Sequence, residues 1–509
     1  MLNVFDSFLN KTTMYRLILY YLLGMIGAAI VFSFFGILSF NPFNLLFSVL
    51  FFTSICLLSN DACAWAFDAP TNLESPYITA LLLTLIIRPP ASPWDLSYFT
   101  FAFWAAVWAM GSKYLFAIKK KHLFNPGAFA VAVMALTTGQ SANWWVGTAP
   151  MLPIVLAGGI LIIRKLRRAD LAWSFLISAL MSIIVFGMFQ GLTFTQIASK
   201  TILSAPLFFF LFVMLTEPLT TPPTRMLRIW YGALVGFLFA PWVHVGSLFS
   251  TPELALLAGN VFSYMVSPKQ KLLLQLKEKV QVADGTFDFV FKPINPISYR
   301  PGQYMEWTLP HGRADDRGNR RYFTVASSPT ETEMRIGVKF YPRPSTFKQR
   351  MLDMKDGDRI VASQISGDFV MPQDSTQKLV FIGGGIGVTP FRSMLKYLTD
   401  RKEKRDIVFF YFTKFERDFA YREVFDAAAK IVGIKMLYIL TEPKEVPKGW
   451  KGLQGFMTPQ LIEDQVHDYR ERKFYISGPH AMVVANTAVL RDMGIPITNI
   501  KEDFFPGFA

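Results

Sequence analysis

"FIGGGIGVTPFRSM", residues 381–394, sets three consecutive glycines between an apolar run and a helix-like stretch that continues to Leu398. Glycines at such a turn let the backbone approach a phosphate closely, and Thr389 can donate a hydrogen bond where the helix begins. The turn is not the full G-x-G-x-x-G with an acidic residue about 20 positions on. Its surroundings carry the reading. "KLVFIGGG" (378–385), "DIVFFYFT" (406–413), "IKMLYILT" (434–441) and "KFYISG" (473–478) are short apolar strands with helix-like stretches between them. That alternation predicts an open parallel α/β sheet over 377–509. "YISGPHAM" (475–482) supplies a second glycine turn at the carboxyl edge of a strand, where ligands of such sheets bind.

The other half of the chain reads as a different kind of protein. Of its 51 Lys and Arg, only 14 precede Pro268, together with 8 of the 37 Asp and Glu. Apolar runs fall near residues 14–37, 42–60, 76–88, 97–117, 124–140, 149–163, 171–190, 201–216, 228–246 and 252–266. Most suffice to cross about 30 Å of hydrocarbon. The third is short, ends at "RPP" and reads as a broken or re-entrant span. Ten spans put both termini on one side, with Lys11, Arg16, "KKKH" (119–122), "RKLRR" (164–168), Arg225, Arg228 and Lys269. By the positive-inside rule that side is cytoplasmic, so an integral membrane protein with a cytoplasmic soluble half is expected. The first run is too long for a cleavable signal peptide and lacks a small-residue cleavage site.

The soluble half carries an excess of eight basic residues, which suits an anionic membrane surface or a phosphate-bearing cofactor. No nucleic-acid-binding motif accompanies that charge. Cys56 and Cys63 are the only cysteines and read as small buried hydrophobes. His122 and His244 are the only histidines that flank membrane runs, on opposite faces, so the paired histidines of a membrane haem protein are missing.

Polar residues gather at the ends of several runs: Asn125, Thr216, Glu217, Thr220, Thr221, Thr224 and Asn260. Such groups are costly in lipid unless they face a cavity or a partner. The plain alternative is capping and turn formation around Pro218, Pro222 and Pro223. Clustered in "TEPLTTPPT" (216–224), they mark a candidate flavin or ion pocket. "LFNPGAFAVAV" (123–133) and "FSTPELALLAGN" (249–260) echo each other, as do "LLLTLIIRPPASP" (81–93) and "FVMLTEPLTTPPT" (212–224). The echo suggests two inverted repeats of five spans.

"YITALLLTLIIRPP" (77–90), "SKYLFAIKKKHLFNPGAFA" (112–130), "FVMLTEPLTTPPTRMLRIWYGALVG" (212–236) and "PELALLAGNVFSYMVSP" (252–268) occur in an order that resembles one membrane-protein family. That family comprises related membrane components of the Na⁺-translocating NADH:quinone oxidoreductase and of the Rnf complex. The resemblance implies a ten-span fold holding flavin on an electron-transfer route. The family's flavin-bearing D-G-x-S-G-A-T-like segment is replaced here by "TTGQSANWWVGTAPML" (137–152). Thr148 is present, but the acceptor motif is absent, so FMN or riboflavin held noncovalently is the expectation.

Residues 272–372 alternate apolar and polar in short runs separated by turns, which predicts a small antiparallel barrel. "RRYFTVASSP" (320–329) joins Arg to hydroxyls and an aromatic, a set suited to a pyrophosphate and a flat ring. "RPSTFKQRM" (343–351) puts Ser345 and Thr346 at a helix start, where free N–H groups favour a phosphate. With "RPGQY" (300–304) and "EDFFPGF" (502–508), the ordered set resembles the ferredoxin–NADP⁺ reductase family over essentially all of 272–509. That resemblance implies noncovalent FAD in the barrel, held by Arg321, Phe323, Thr324, Ser345 and Thr346. It implies NAD(P)H at Gly385, Thr389, Gly478 and Pro479, with Ser477 where many members carry Cys. It implies terminal Phe508 as a cover for the flavin ring. Lys414 or Arg417 can meet a 2′-phosphate, or can be ordinary surface charge.

These readings converge on a membrane flavoprotein that passes electrons from cytoplasmic NAD(P)H through FAD to a flavin, quinone or redox partner. A redox-linked ion pump or transporter component with a regulatory reductase domain is the alternative.

Overall fold

The computed structural model describes residues 12–67, 74–92, 94–118, 121–166, 168–203, 206–267, 272–293, 297–309, 315, 319–442 and 446–503. Of the basic residues expected on the cytoplasmic side, Lys11, Lys119, Lys120, Arg167 and Lys269 lie outside the described residues. Two compact units form, Met1–Lys269 and Gln270–Ala509.

The first unit is helical. Met14–Phe34 (α1), Pro42–Ala66 (α2), Ala149–Leu166 and Ala169–Phe189 are long and apolar enough to cross a membrane. Each of the ten apolar runs carries helix, but not every run carries a full-length one. Glu74–Ile86 (α3) and Pro126–Thr138 (α5) have 13 residues each, which reach about 20 Å. Between them lies Leu96–Leu115 (α4). The third run forms one short helix that stops at Ile86 ahead of the prolines, and its carbonyl end is satisfied inside the protein. Trp144 N donates to Ile86 O at 2.8 Å, and Trp145 Nε1 donates to Thr84 O at 2.8 Å and to Ile87 O at 3.1 Å. A helix end remote from water needs such partners. The eighth run is also irregular: Leu207–Phe209 passes into a π-helical stretch, Phe210–Met214, just before the "TEPLTTPPT" segment.

After α5 come the longer helices Leu152–Leu166 (α6), Ala169–Phe189 (α7), Phe194–Leu203 (α8) and, beyond the short Leu207–Phe209 turn, Arg225–Leu238 (α9). The tightest packing joins α7 to α9, and Gly232 and Gly236 make it possible. A Cβ at Gly236 would stand 2.6 Å from Phe175 O, and one at Gly232 would stand 2.9 Å from Leu171 O. Small residues four apart let two backbones approach. Ser174 and Ser178 then donate across the contact to Ile229 O and Ala233 O. Pro252–Val266 (α10) completes the unit, capped by Thr251. Cys56 is buried and Cys63 partly so, both as free thiols.

The second unit opens with six antiparallel strands: Leu272–Ala283 (β1), Thr286–Pro293 (β2), Tyr304–Thr308 (β3), Arg320–Thr324 (β4), Met334–Lys339 (β5) and Arg359–Ser366 (β6). Their order across the sheet is β4-β3-β6-β1-β2-β5. The end strands curl together, and Ala326 N donates to Arg335 O at 2.8 Å. Asp284-Gly285, with Gly285 at φ +59°, forms the two-residue hairpin that sets the β1–β2 register. Phe289, Phe291, Met305, Trp307, Ile336 and Ile360 fill the interior beside helix Thr346–Asp353 (α11).

A fully parallel sheet follows: Leu379–Gly384 (β7), Ile407–Thr413 (β8), Lys435–Leu440 (β9), Leu453–Gln454 (β10), Lys473–Ser477 (β11) and Ile500–Asp503 (β12). Every residue of β7 and β8 is buried, which is why those strands read as continuous apolar runs rather than alternating ones. The order is β10-β9-β8-β7-β11-β12. The chain therefore steps outward from β7 and then returns to β7's other side at β11.

Candidate functional site

That reversal creates a crevice at the carboxyl ends of β7 and β11, the place where open α/β sheets take ligands. Both glycine turns lie there. Gly385 has φ +51°, and an added Cβ would meet only open space, so glycine is required by backbone conformation. At Gly387 the reason is different: a Cβ would lie 2.4 Å from the Cα of Gly478, so the two turns touch through their backbones. Thr389 begins helix Thr389–Arg401 (α12) and is buried. Pro479 precedes helix His480–Asp492 (α15), after Arg422–Val432 (α13) and Pro459–Gln465 (α14) in the chain. Tyr411 holds the first turn from below by donating to Gly385 O at 3.3 Å, and burial pushes its hydroxyl pKa upward.

On the barrel, β4 and the start of α11 build a second seat. Arg321 stacks its guanidinium 5.1 Å from the centroid of Phe347. Phe323 leans on the same ring at 6.1 Å. Ser345 caps α11 by accepting from Lys348 N, and the Thr346 amide donates to a residue outside the helix. That residue is acidic. Asp315 accepts from Thr346 N at 3.1 Å and lies 3.4 Å from Arg321 Nη2. The position thus accommodates an anion on this structure's own showing. Thr324 is 4% exposed, and its Oγ1 is buried with no hydrogen-bond partner, a group left over for a bound molecule. These residues fit a flavin dinucleotide: an anion seat for pyrophosphate, an aromatic for the ring, and an unused hydroxyl.

Asp315 and Phe347 were not singled out by their sequence context. Phe508 lies outside the described residues. Lys414 faces solvent, whereas Arg417 stacks on Phe415 and pairs with Asp284 at 3.4 Å. Of the two candidates for a 2′-phosphate, Lys414 is the more available.

In the first unit, the polar set divides between capping and a shared network. Asn125 Oδ1 caps Ala128 N, and Thr216 bonds back to Phe212 O. Thr224 precedes α9 without a side-chain cap. Glu217 collects the others: Asn125 Nδ2 donates to it at 2.9 Å and Thr220 Oγ1 at 3.1 Å. His122 Nε2 lies 3.3 Å from its other oxygen. Asn260 accepts from Asn125 N at 2.8 Å and donates to Tyr231 at 3.2 Å. Thr221 meets Arg168. His122, Arg168 and Tyr231 join only through the fold. Thr148, half-buried between two short 3-10 turns, has its hydroxyl oxygen buried and unpartnered.

Comparison with known proteins places a likeness on the second unit. Residues 381–487 match the family model of the oxidoreductase NAD-binding domain. The chain is 26% identical over 233 residues to the glycine betaine monooxygenase reductase subunit of Chromohalobacter salexigens, covering 44% of this chain and 62% of that protein. It is 28% identical over 239 residues to the flavohemoprotein of Bacillus thuringiensis, covering 45% and 59%. The flavohem-like FAD/NAD-binding domain of nitric oxide dioxygenase from Vibrio cholerae aligns over 46% of this chain and 98% of that one, with 19% identity and a TM-score of 0.41. The chain spans about three fifths of the length of these curated relatives. Residues 381–487 are thus similar in sequence to the nicotinamide-nucleotide domains of oxidoreductases, and the two glycine turns of the crevice fall within them.

Proposed function

We propose that this protein is a membrane-bound flavoprotein oxidoreductase that takes electrons from NAD(P)H on the cytoplasmic side. The observation that carries the reading is the glycine-lined crevice between β7 and β11, in one compact unit with the anion seat of Arg321 and Thr346, which the Asp315 carboxylate occupies. FAD held at that seat would supply hydride acceptance and single-electron release. The chain's own residues do the rest. Arg321 and the start of α11 hold the pyrophosphate, Phe323 covers the ring, and Thr324 offers its hydroxyl. Gly385, Gly387 and Gly478 let the nicotinamide nucleotide lie against backbone, with Thr389 donating to its phosphate.

The acceptor lies in the ten-span first unit, as a flavin, a quinone or a docked redox protein. Four crossing-length helices and the sequence likeness to the membrane components of NADH:quinone oxidoreductase and Rnf support this reading. A second flavin, held noncovalently by the Glu217, Asn125 and Thr220 cluster, is its most specific form. Flavin released by acid precipitation of the full-length protein tests it: the expected yield exceeds one per chain, with FAD and either FMN or riboflavin. One flavin per chain, all FAD, sinks the second site. No flavin at all, with no NAD(P)H oxidation, sinks the enzyme. Flavin remaining on denatured protein points to attachment, with Thr148 the first residue to replace.

A further inference from the structure

A buried ionic clamp links the crevice to the flavin seat. Arg392 lies three residues beyond Thr389 on α12, and it is 5% exposed. Its Nη1 donates to Ala326 O at 3.1 Å, two residues beyond Thr324. Both Nη groups also bond the two oxygens of Glu331, with Nη2 at 2.9 Å. Ser328 N donates to the same carboxylate at 2.6 Å. The neighbouring Ser393 donates to Ser327 O at 2.6 Å. A third contact, from Tyr421 to the buried Asp288, closes against Gly337, where a Cβ would stand 2.2 Å from the Tyr421 hydroxyl and 2.9 Å from Thr389 Cγ2.

An ion pair this deeply buried is a poor source of net stability, because desolvation offsets its attraction. What it does fix is geometry, since a bidentate guanidinium–carboxylate pair tolerates little rotation. Its two ends belong to the segments that hold the two redox partners. We propose that Arg392 and Glu331 form a positioning clamp that sets the nicotinamide turn against the flavin seat and thereby governs hydride transfer. The inference rests on the NAD(P)H–flavin reading. In the step concerned, the nicotinamide C4–H bond breaks and its electron pair moves with the proton to the flavin, so no further reductant is needed. Such transfer is steep in distance, and a displacement of about 1 Å costs on the order of a hundredfold in rate.

The test uses full-length protein in detergent micelles. A double variant, Glu331→Leu with Arg392→Met, removes both charges together, so no unpaired ion is left to unfold the domain. The double variant is expected to retain FAD and its melting temperature. Its flavin should be reduced by NAD(P)H tenfold to a hundredfold more slowly, while dithionite reduction is unchanged. The charge-transfer absorbance with bound NAD⁺ should weaken, and amide exchange across 326–331 should rise even without nucleotide. Arg392→Lys should recover part of the rate. Parental reduction rate and charge-transfer absorbance in the double variant overturn the clamp. So does loss of FAD together with unfolding, which makes the pair a structural staple. Parent protein that NAD(P)H fails to reduce overturns the proposed function instead.

Discussion

Asp315 and Thr346 exchange two hydrogen bonds: Thr346 N donates to the Asp315 carboxylate at 3.1 Å, and Asp315 N donates to Thr346 Oγ1 at 3.0 Å. With Arg321 on its other oxygen, the carboxylate stands where the barrel would receive a pyrophosphate. Two anions do not share one such seat without strong repulsion. Asp315→Ala is therefore expected to tighten FAD binding by roughly tenfold, the effect of about 1.4 kcal/mol. Titrating stripped protein with FAD and following flavin fluorescence measures this. Weaker binding in the variant means that Asp315 holds the cofactor instead of competing with it.

Arg321→Ala and Thr389→Ala should separate the two nucleotide sites. Loss of the guanidinium removes a charge-assisted contact worth about 1.5–3 kcal/mol, so FAD affinity falls roughly tenfold to a hundredfold. Thr389→Ala should leave FAD in place and chiefly raise the KM for NAD(P)H. Equal FAD loss in both variants contradicts the assignment.

Gly387→Ala should block the crevice. The new methyl would meet the Cα of Gly478 at 2.4 Å and its N at 2.7 Å, and backbone cannot swing aside as a side-chain tip can. NAD(P)H oxidation is expected to drop at least tenfold, the scale of a misplacement near 1 Å. FAD content, read from absorbance of the purified variant, should remain that of the parent.

Acid should loosen the α/β sheet through one ion cluster. Hydrogen bonds from Arg472, assisted by Lys378, hold the Asp468 carboxyl down at about 2, against an ordinary 3.8. A depressed carboxyl stabilises the fold fully above its ordinary value, and the contribution disappears as pH falls through about 2. Urea midpoints followed downward from about pH 5 should show that loss in the parent and a flatter course in Asp468→Asn. The same slope in both proteins removes Asp468 from the account.

The order of elements was legible from local pattern alone. Fully buried parallel strands leave continuous apolar runs, and a hairpin such as Asp284-Gly285 or a turn such as Gly383–Gly387 is dictated by residues that are neighbours in the chain. Ser345 could be placed at a helix start for the same reason. Even the irregular third run showed itself, because prolines after Arg88 end a helix wherever it lies. The length of the other helices did not show, since hydropathy marks an apolar stretch without marking where its backbone bends, as at the π-helical Phe210–Met214.

Partners distant in sequence were decided only by the tertiary structure. "TEPLTTPPT" announced a polar cluster, yet His122, Arg168 and Tyr231 reach it across the fold from other elements. In the sequence Arg392 is one basic residue of a helix-forming stretch, and Glu331 is a charge 61 positions away. Nothing local distinguishes a solvated arginine from one that is 5% exposed and bidentate. The sequence by itself determines which turns can bind a phosphate, because that depends on backbone freedom at adjacent residues. Which charge faces which depends on chain topology, and only folding brings Asp315 to Thr346 or Arg392 to Glu331.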